Sequence, residues 1–318
     1  TEAGAISSWI AAATSYSTHG KTMLPFYIFY SCFGFQRIGD LVWTAGDSRA
    51  RGFLLGATAG RTTLSGEGLQ HEDGSSHLLF STVPNCVAYD PTYGYEVVTI
   101  IQDGMKRMLE KQHDVFYYVT VMNENYCHPS MPKDAEVGII KGMYCLQKNK
   151  QSATAHAQLL GSGTILRETL AASELLKSDW KVSTDVWSVT SFTELRRDGL
   201  CIDRENMYSS NSPDKATWVE KCLGSTIGPI IASTDYMRAV PDMIRTWVPR
   251  RYVTLGTDGY GRSDTRKSLR DFFEVDRFHI TLATLKALVA EGSIDKSVLS
   301  KALKKYGLKS GRPNPWDI

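Results

Sequence analysis

The stretch Val115-Phe-Tyr-Tyr-Val-Thr-Val-Met122 is apolar on both of its alternating faces, the mark of a strand covered from both sides. Before it come a short apolar run, Cys86–Tyr89, and a long amphipathic segment, Tyr93–Lys111, whose spacing predicts a helix. Strand, helix and strand in that order describe two parallel strands joined by a crossover helix. The alternation extends upstream: helix Ala3–Ser15, strand Phe26–Tyr30, helix Gln36–Ala50, strand Phe53–Ala57, and a helix or turn at Leu78–Val83. Residues 123–155 break it with Pro129, Pro132 and the polar run Gln147-Lys-Asn-Lys-Gln-Ser-Ala-Thr154, and read as a connection. The pattern then restarts. Strands are expected at Ala157–Leu160, Val182–Val189, Ile230–Ser233 and Tyr252–Leu255, and helices at Ile165–Leu176, Tyr236–Trp247, Arg277–Ala290 and Ser297–Tyr306. The expectation is an α/β chain of two domains, 1–136 and 137–318, each a mostly parallel sheet flanked by helices, with no internal repeat.

Bulk properties agree with two globular domains. The chain has 318 residues, 42 % hydrophobic and 22 % charged, which is enough apolar material for two cores and argues against disorder. A net charge of +2 leaves no electrostatic footprint for nucleic acid or an anionic membrane. The six cysteines are scattered without a C-x-x-C pair, mostly in apolar surroundings, so buried free thiols and a cytoplasmic location are expected. The longest apolar run, Met23–Phe35, contains Pro25 and is shorter than the ~20 residues a membrane span needs. No signal-peptide pattern opens the chain, and Thr1 in place of methionine suggests a piece of a longer polypeptide.

Residues 61–77 crowd three glycines, three acids and two histidines into one loop. Such a loop brings backbone close to a ligand and supplies Glu67, His71 and Asp73 for proton transfer near neutral pH. The aromatic segment Met23–Arg37 offers a face for a flat organic ring. Competing chemistries fail on spacing. Gly161-x-Gly163 has Leu166 where a dinucleotide fingerprint needs its third glycine, and Gly20-Lys21-Thr22 has Ser15 where a phosphate loop needs its first. His71 and His77 do not share a helical face as zinc ligands, no metal site is expected, and no G-x-S-x-G occurs. General acid–base work by His71, tuned by Glu67 or Asp73, survives.

Longer motifs carry a resemblance. Glu2, Ser15-Tyr-Ser-Thr-His19, Pro25-Phe-Tyr-Ile-Phe-Tyr30, Phe33-Gly-Phe-Gln-Arg-Ile-Gly-Asp40, Gly66-Glu-Gly-Leu-Gln-His-Glu-Asp-Gly74, Asn123-Glu-Asn-Tyr126, Thr190-Ser-Phe-Thr-Glu-Leu195 and Thr257-Asp-Gly-Tyr-Gly-Arg-Ser263 run in order through nearly the whole chain. Together they resemble the homodimeric pyruvate dehydrogenases, the first, thiamine diphosphate-dependent component of the pyruvate dehydrogenase complex. The resemblance covers the aminopyrimidine-binding domain (1–136, lacking its front) and the transketolase C-terminal-like domain (137–318). It implies a cytoplasmic, glycolysis-linked oxidoreductase that decarboxylates pyruvate and passes the acetyl group to the lipoyl arm of the acetyltransferase component. It also implies Mg²⁺ held with the diphosphate by an N-terminal domain that has no counterpart here, so this chain alone is expected to be inactive. In that family a carboxylate on the aminopyrimidine favours the tautomer that removes the proton from the reacting carbon, and Glu2 matches it. Tyr30, Phe33 and Arg37 match the wall that binds the pyrimidine, His71 matches a histidine that stabilises or protonates reaction intermediates, and Glu67 is a second candidate from the same loop. Two rivals share the fold class: a separate beta-type subunit of a 2-oxo acid dehydrogenase or split transketolase, and a non-catalytic assembly module.

Overall fold

A computed structural model of the chain describes residues 1–149, 155–210 and 212–318. The first unit comprises α1 (Glu2–Ala13), α2 (Ser15–Thr18), β1 (Phe26–Phe29), α3 (Ser31–Asp47), β2 (Phe53–Gly56), α4 (Ser76–Phe80), β3 (Cys86–Tyr89), α5 (Gly94–Met105) and β4 (Phe116–Thr120). Its four strands are all parallel, in the order β1-β2-β4-β3. Because successive side chains point to opposite faces, the strands feed two cores. Phe29, Leu54, Ala88, Phe116 and Tyr118 pack under α1, α3 and α4, while Phe53, Val87, Tyr89, Tyr117 and Val119 pack toward α5. β3 and β4 are buried throughout, as doubly covered strands must be.

The second unit runs α6 (Glu136–Lys141), β5 (Met143–Gln147), β6 (His156–Gly161), α7 (Ile165–Trp180), β7 (Ser183–Val189), α8 (Phe192–Met207), α9 (Trp218–Leu223), β8 (Ile230–Ser233), α10 (Ala239–Asp242), β9 (Tyr252–Leu255), α11 (Arg266–Phe272), α12 (Arg277–Ala290) and α13 (Ser297–Tyr306). The strand order is β5-β7-β6-β8-β9, parallel except for β5, which pairs antiparallel with β7 at the edge. Two parallel-dominated sheets, each flanked by helices, are therefore the architecture.

Several expectations need correction. The segment 123–155 is not a bare connection: its described part holds α6 and β5, whereas residues 150–154 of the polar run lie outside the described residues. The helix expected over Tyr236–Trp247 is interrupted. Pro241 offers no backbone N–H, and the chain forms only the turn α10 and a 3₁₀ turn at Arg245–Trp247. The helix expected through Lys111 leaves α geometry at Met105 and continues as a π turn, Lys106–Glu110. Among the cysteines, all six are free, yet Cys86 alone is fully buried and Cys127 and Cys201 are exposed. No helix among the described residues is long and apolar enough to cross a membrane.

The units meet through buried polar groups. Asp235 accepts four hydrogen bonds, from the amides of Thr62 (2.9 Å) and Thr63 (3.1 Å) and from both hydroxyls (2.5 Å each). Glu96 caps α5 by accepting from the Thr92 and Tyr93 amides, and its other oxygen takes the hydroxyls of Tyr144 and Ser188 from the second sheet. Glu124 pairs with Arg270 and, at 2.6 Å, with Arg167.

Candidate active site

The site is assembled where β1 ends. Tyr30 follows the last strand residue and leads into α3, whose first two turns carry Phe33 and Arg37 four positions apart, hence on one helix face. α3 can sit low on the sheet because residue 34 is glycine: a Cβ there would come within 2.0 Å of the Phe29 ring. The Arg37 guanidinium stacks 4.3 Å from the centroid of Phe33 and pairs with the Glu2 carboxylate, which α1 delivers by packing against α3.

His71 arrives from the loop after β2, at the end of the 3₁₀ turn Leu69–His71. Its ring stands edge-on to Tyr30 at 4.8 Å and to Phe33 at 4.9 Å, and those two rings are 5.9 Å apart. Glu2, Arg37, Phe33, His71 and Tyr30 thus form one chain of contacts drawn from three separate segments. Tyr30 is 53 % exposed, so the aromatic wall has an open edge. Beside it lies a cleft of ≈ 400 Å³ lined by Glu2, Tyr27, Ile28, Phe29, Tyr30, Ala57 and Thr58.

The electrostatics favour an ionised Glu2. A backbone N–H at the start of α1 and then the Arg37 guanidinium hold its carboxyl below the usual carboxylate range. Burial pushes the Cys32 thiol, next to Phe33, up to about 11, which leaves it protonated and a poor nucleophile near neutral pH. The Nδ1 atom of His71 is buried and has no hydrogen-bond partner among the described residues. A ligand group or a water would satisfy it.

Other candidates fall elsewhere. Glu67 is exposed on the same loop and makes no hydrogen bond or ion pair with a described residue. Asp73 is not hydrogen-bonded to His71. Its two oxygens are committed to the start of α4, accepting from the amides of Ser75 (3.0 Å) and Ser76 (2.9 Å) and from the Ser76 hydroxyl (2.5 Å). His77 is buried against Thr120 and Tyr236, and burial pushes its pKa down to about 4, so it is a neutral core imidazole. Gly163 is consumed by packing, with its N–H donated to the Asp90 carbonyl and its own carbonyl accepting from Thr92. The only group of three possible metal ligands among the described residues is Asp271, Asp276 and His279, where an Asp276 oxygen already caps α12. Sequence reasoning passed over Glu72. It is 1 % exposed, accepts the Arg262 amide at 2.5 Å, and is pushed up to about 7 by burial, against the pull of that amide and of Arg61.

Comparison with known proteins adds to this geometry. Residues 1–129 match the family described as pyruvate dehydrogenase E1 component middle domain, and residues 142–276 match the transketolase-like C-terminal domain. The chain is 62 % identical over 317 residues to the pyruvate dehydrogenase E1 component of Pseudomonas aeruginosa, covering 99 % of this chain and 36 % of the relative. It is 58 % identical to that of Cupriavidus necator, covering 100 % and 36 %, and 52 % identical to that of Escherichia coli K12, covering 99 % and 35 %. It therefore spans about a third of the length of these relatives. Among solved structures, transketolase from Campylobacter jejuni superposes with a TM-score of 0.64 at 17 % identity, over 87 % of this chain and 38 % of that one. A split-gene transketolase, an inactive beta4 tetramer, gives 0.61 at 14 % identity over 89 % and 81 %. At these identities the structural likeness speaks for the fold.

Proposed function

Because the chain belongs to the pyruvate dehydrogenase E1 family, we propose that it is the part of a thiamine diphosphate-dependent pyruvate dehydrogenase that supplies the pyrimidine-binding wall and the C-terminal domain. The observation that carries this reading is the convergence of Glu2, Arg37, Phe33, Tyr30 and His71 on one open aromatic wall. The residues fit the cofactor's pyrimidine: an aromatic face, an ionised carboxylate at its rim, and an imidazole nitrogen without a described partner. When bound, thiamine diphosphate supplies the nucleophilic carbon for the 2-oxo carbonyl and the electron sink for the departing CO₂.

Phe33 and Tyr30 would hold the pyrimidine ring by its faces and edges. Glu2, ionised and held in place by Arg37, would accept a hydrogen bond from a protonated nitrogen of the pyrimidine ring and so favour the protonated ring. His71 exchanges a proton with the oxygen of the bound substrate, and Glu67, exposed on the same loop, is the second candidate for that work. The division of the chain at 136/137 belongs to the same proposal, as do the homodimer, a cytoplasmic location in glycolytic metabolism, and Mg²⁺ with the diphosphate held by residues outside this stretch. The acetyl group would pass to the lipoyl arm of an acetyltransferase component. The test is decarboxylation of labelled pyruvate by the full-length protein: CO₂ release that depends on thiamine diphosphate supports the reading, and none in its presence contradicts it.

A further inference from the structure

The loop that delivers His71 is held by the C-terminal unit at several points. Arg61 donates to the carbonyls of Thr257 (2.7 Å) and Gly259, the Gly66 amide donates to the Asp264 carbonyl at 3.2 Å, and Glu72 accepts the Arg262 amide at 2.5 Å. Between Gly66 and Glu72 the backbone bonds are those of the loop's own 3₁₀ turn, and Leu69 is 54 % exposed. His71 is the residue immediately before the Glu72 anchor, and the residue after it, Asp73, is fixed by capping α4.

We propose that Glu72 is a positioning residue for His71, its buried carboxylate tying the imidazole loop to the 257–264 loop of the C-terminal unit so that this unit sets the imidazole against Phe33 and Tyr30. The inference rests on the reading of His71 as the proton-transferring group of the site. The close fit of the two loops supports it. A Cβ on Gly261 would lie 2.5 Å from the Leu69 carbonyl oxygen and 2.8 Å from Glu72 Oε2, so only glycine lets the loops approach this closely. Glu72 Oε1 is buried without a partner, which makes the Arg262 amide the carboxylate's one hydrogen-bonded anchor among the described residues. The charges that act on it are Arg61 and Asp235, and burial outweighs Arg61, bringing its pKa to about 7. Glu72 does not line the cleft beside Tyr30. Its effect passes through the loop.

The test follows the His71 ring protons by NMR in the chain carrying ring-labelled histidine, since the currents of the Tyr30 and Phe33 rings displace those resonances. Glu72→Ala and Gly261→Ala should each move them toward the position of an exposed histidine, while Glu72→Gln, which keeps an oxygen for the Arg262 amide, should stay near the wild type. Unmoved resonances in folded Glu72→Ala overturn the proposal. If that variant does not fold, unmoved resonances in Gly261→Ala do so. In the full-length enzyme Glu72→Ala should lower kcat about tenfold, as sub-ångström to ångström misplacement does, with no further loss in a His71→Ala background. A loss that simply adds to that of His71→Ala assigns Glu72 to general stability and overturns positioning. Absence of pyruvate turnover in the full-length wild type would strike the functional reading instead, and the resonance test of Glu72 would still stand.

Discussion

His71 sits edge-on between Tyr30 and Phe33 with no partner for its Nδ1 among the described residues, whereas His77, in the first turn of α4, is sealed against Thr120 and Tyr236. Edge contacts of this kind contribute about 0.5–1.5 kcal/mol each, so His71 is not a keystone of the core. His71→Ala in the full-length enzyme should lower turnover about 10²-fold, the usual effect of losing a general acid–base. Its melting temperature should move by no more than about 2–4 °C. Melting and turnover on one preparation decide the matter: a large fall in melting temperature with normal specific activity would make His71 structural. The composition of the loop pointed to Glu67, His71 and Asp73, but could not say which acid is spent on a helix cap. The wall residues Glu2, Tyr30, Phe33 and Arg37 were legible through family resemblance, because nothing in local spacing connects Glu2 to a helix 35 residues on. Glu72 was invisible for the same reason, with its partner 190 residues away.

At the scale of elements, α3 links packing to the site. Its Gly34 faces Phe29, and the same first two turns present Phe33 and Arg37. Gly34→Ala should destabilise the chain by about 1–3 kcal/mol, as overpacking does, and lift α3 away from β1. The checks are a lowered melting temperature together with a displaced His71 ring resonance, and wild-type values for both would show that the helix is not seated by this glycine. Strands such as Cys86–Tyr89 and Ile230–Ser233 were readable to the residue because both faces are buried and the whole run is apolar. β5 was missed because it is an antiparallel edge strand, half-buried at its end and flanked by polar residues. α8 (Phe192–Met207) was missed because it is a polar helix with a narrow buried stripe, Phe192, Leu195 and Gly199 among it. Its start is set by the Ser191 hydroxyl, which accepts the Glu194 amide.

Across the whole molecule, the two sheets are joined at Asp90, whose amide donates to the Thr190 carbonyl and whose carboxyl takes the hydroxyls of Thr120 and Tyr236. Burial raises that carboxyl from an ordinary 3.8 to about 7. Between those values the folded chain holds a proton that the unfolded chain has released, so stability from this group falls as pH rises and levels off above about 7. His77 works in the opposite sense. Its pKa, lowered from 6.5 to about 4, means stability is lost as pH falls through that interval. Asp90→Asn cannot release the proton, so its melting temperature relative to wild type should rise from pH 5 to 8 and then stay constant. A difference independent of pH would show that Asp90 ionises normally in the fold.

The carboxylate that α1 brings to the aromatic wall is that of Glu2. Glu2 is paired with Arg37 at the surface of the unit, so Glu2→Gln should leave the fold and its melting temperature nearly unchanged. The most direct measurement is thiamine diphosphate-dependent CO₂ release from pyruvate by the full-length protein, wild type against Glu2→Gln, at matched cofactor occupancy. The wild type should depend on the cofactor, and the variant should be slower by about 10²-fold, the scale of a lost general acid–base group. Equal turnover by the two proteins, with the cofactor equally bound, would contradict this role of Glu2.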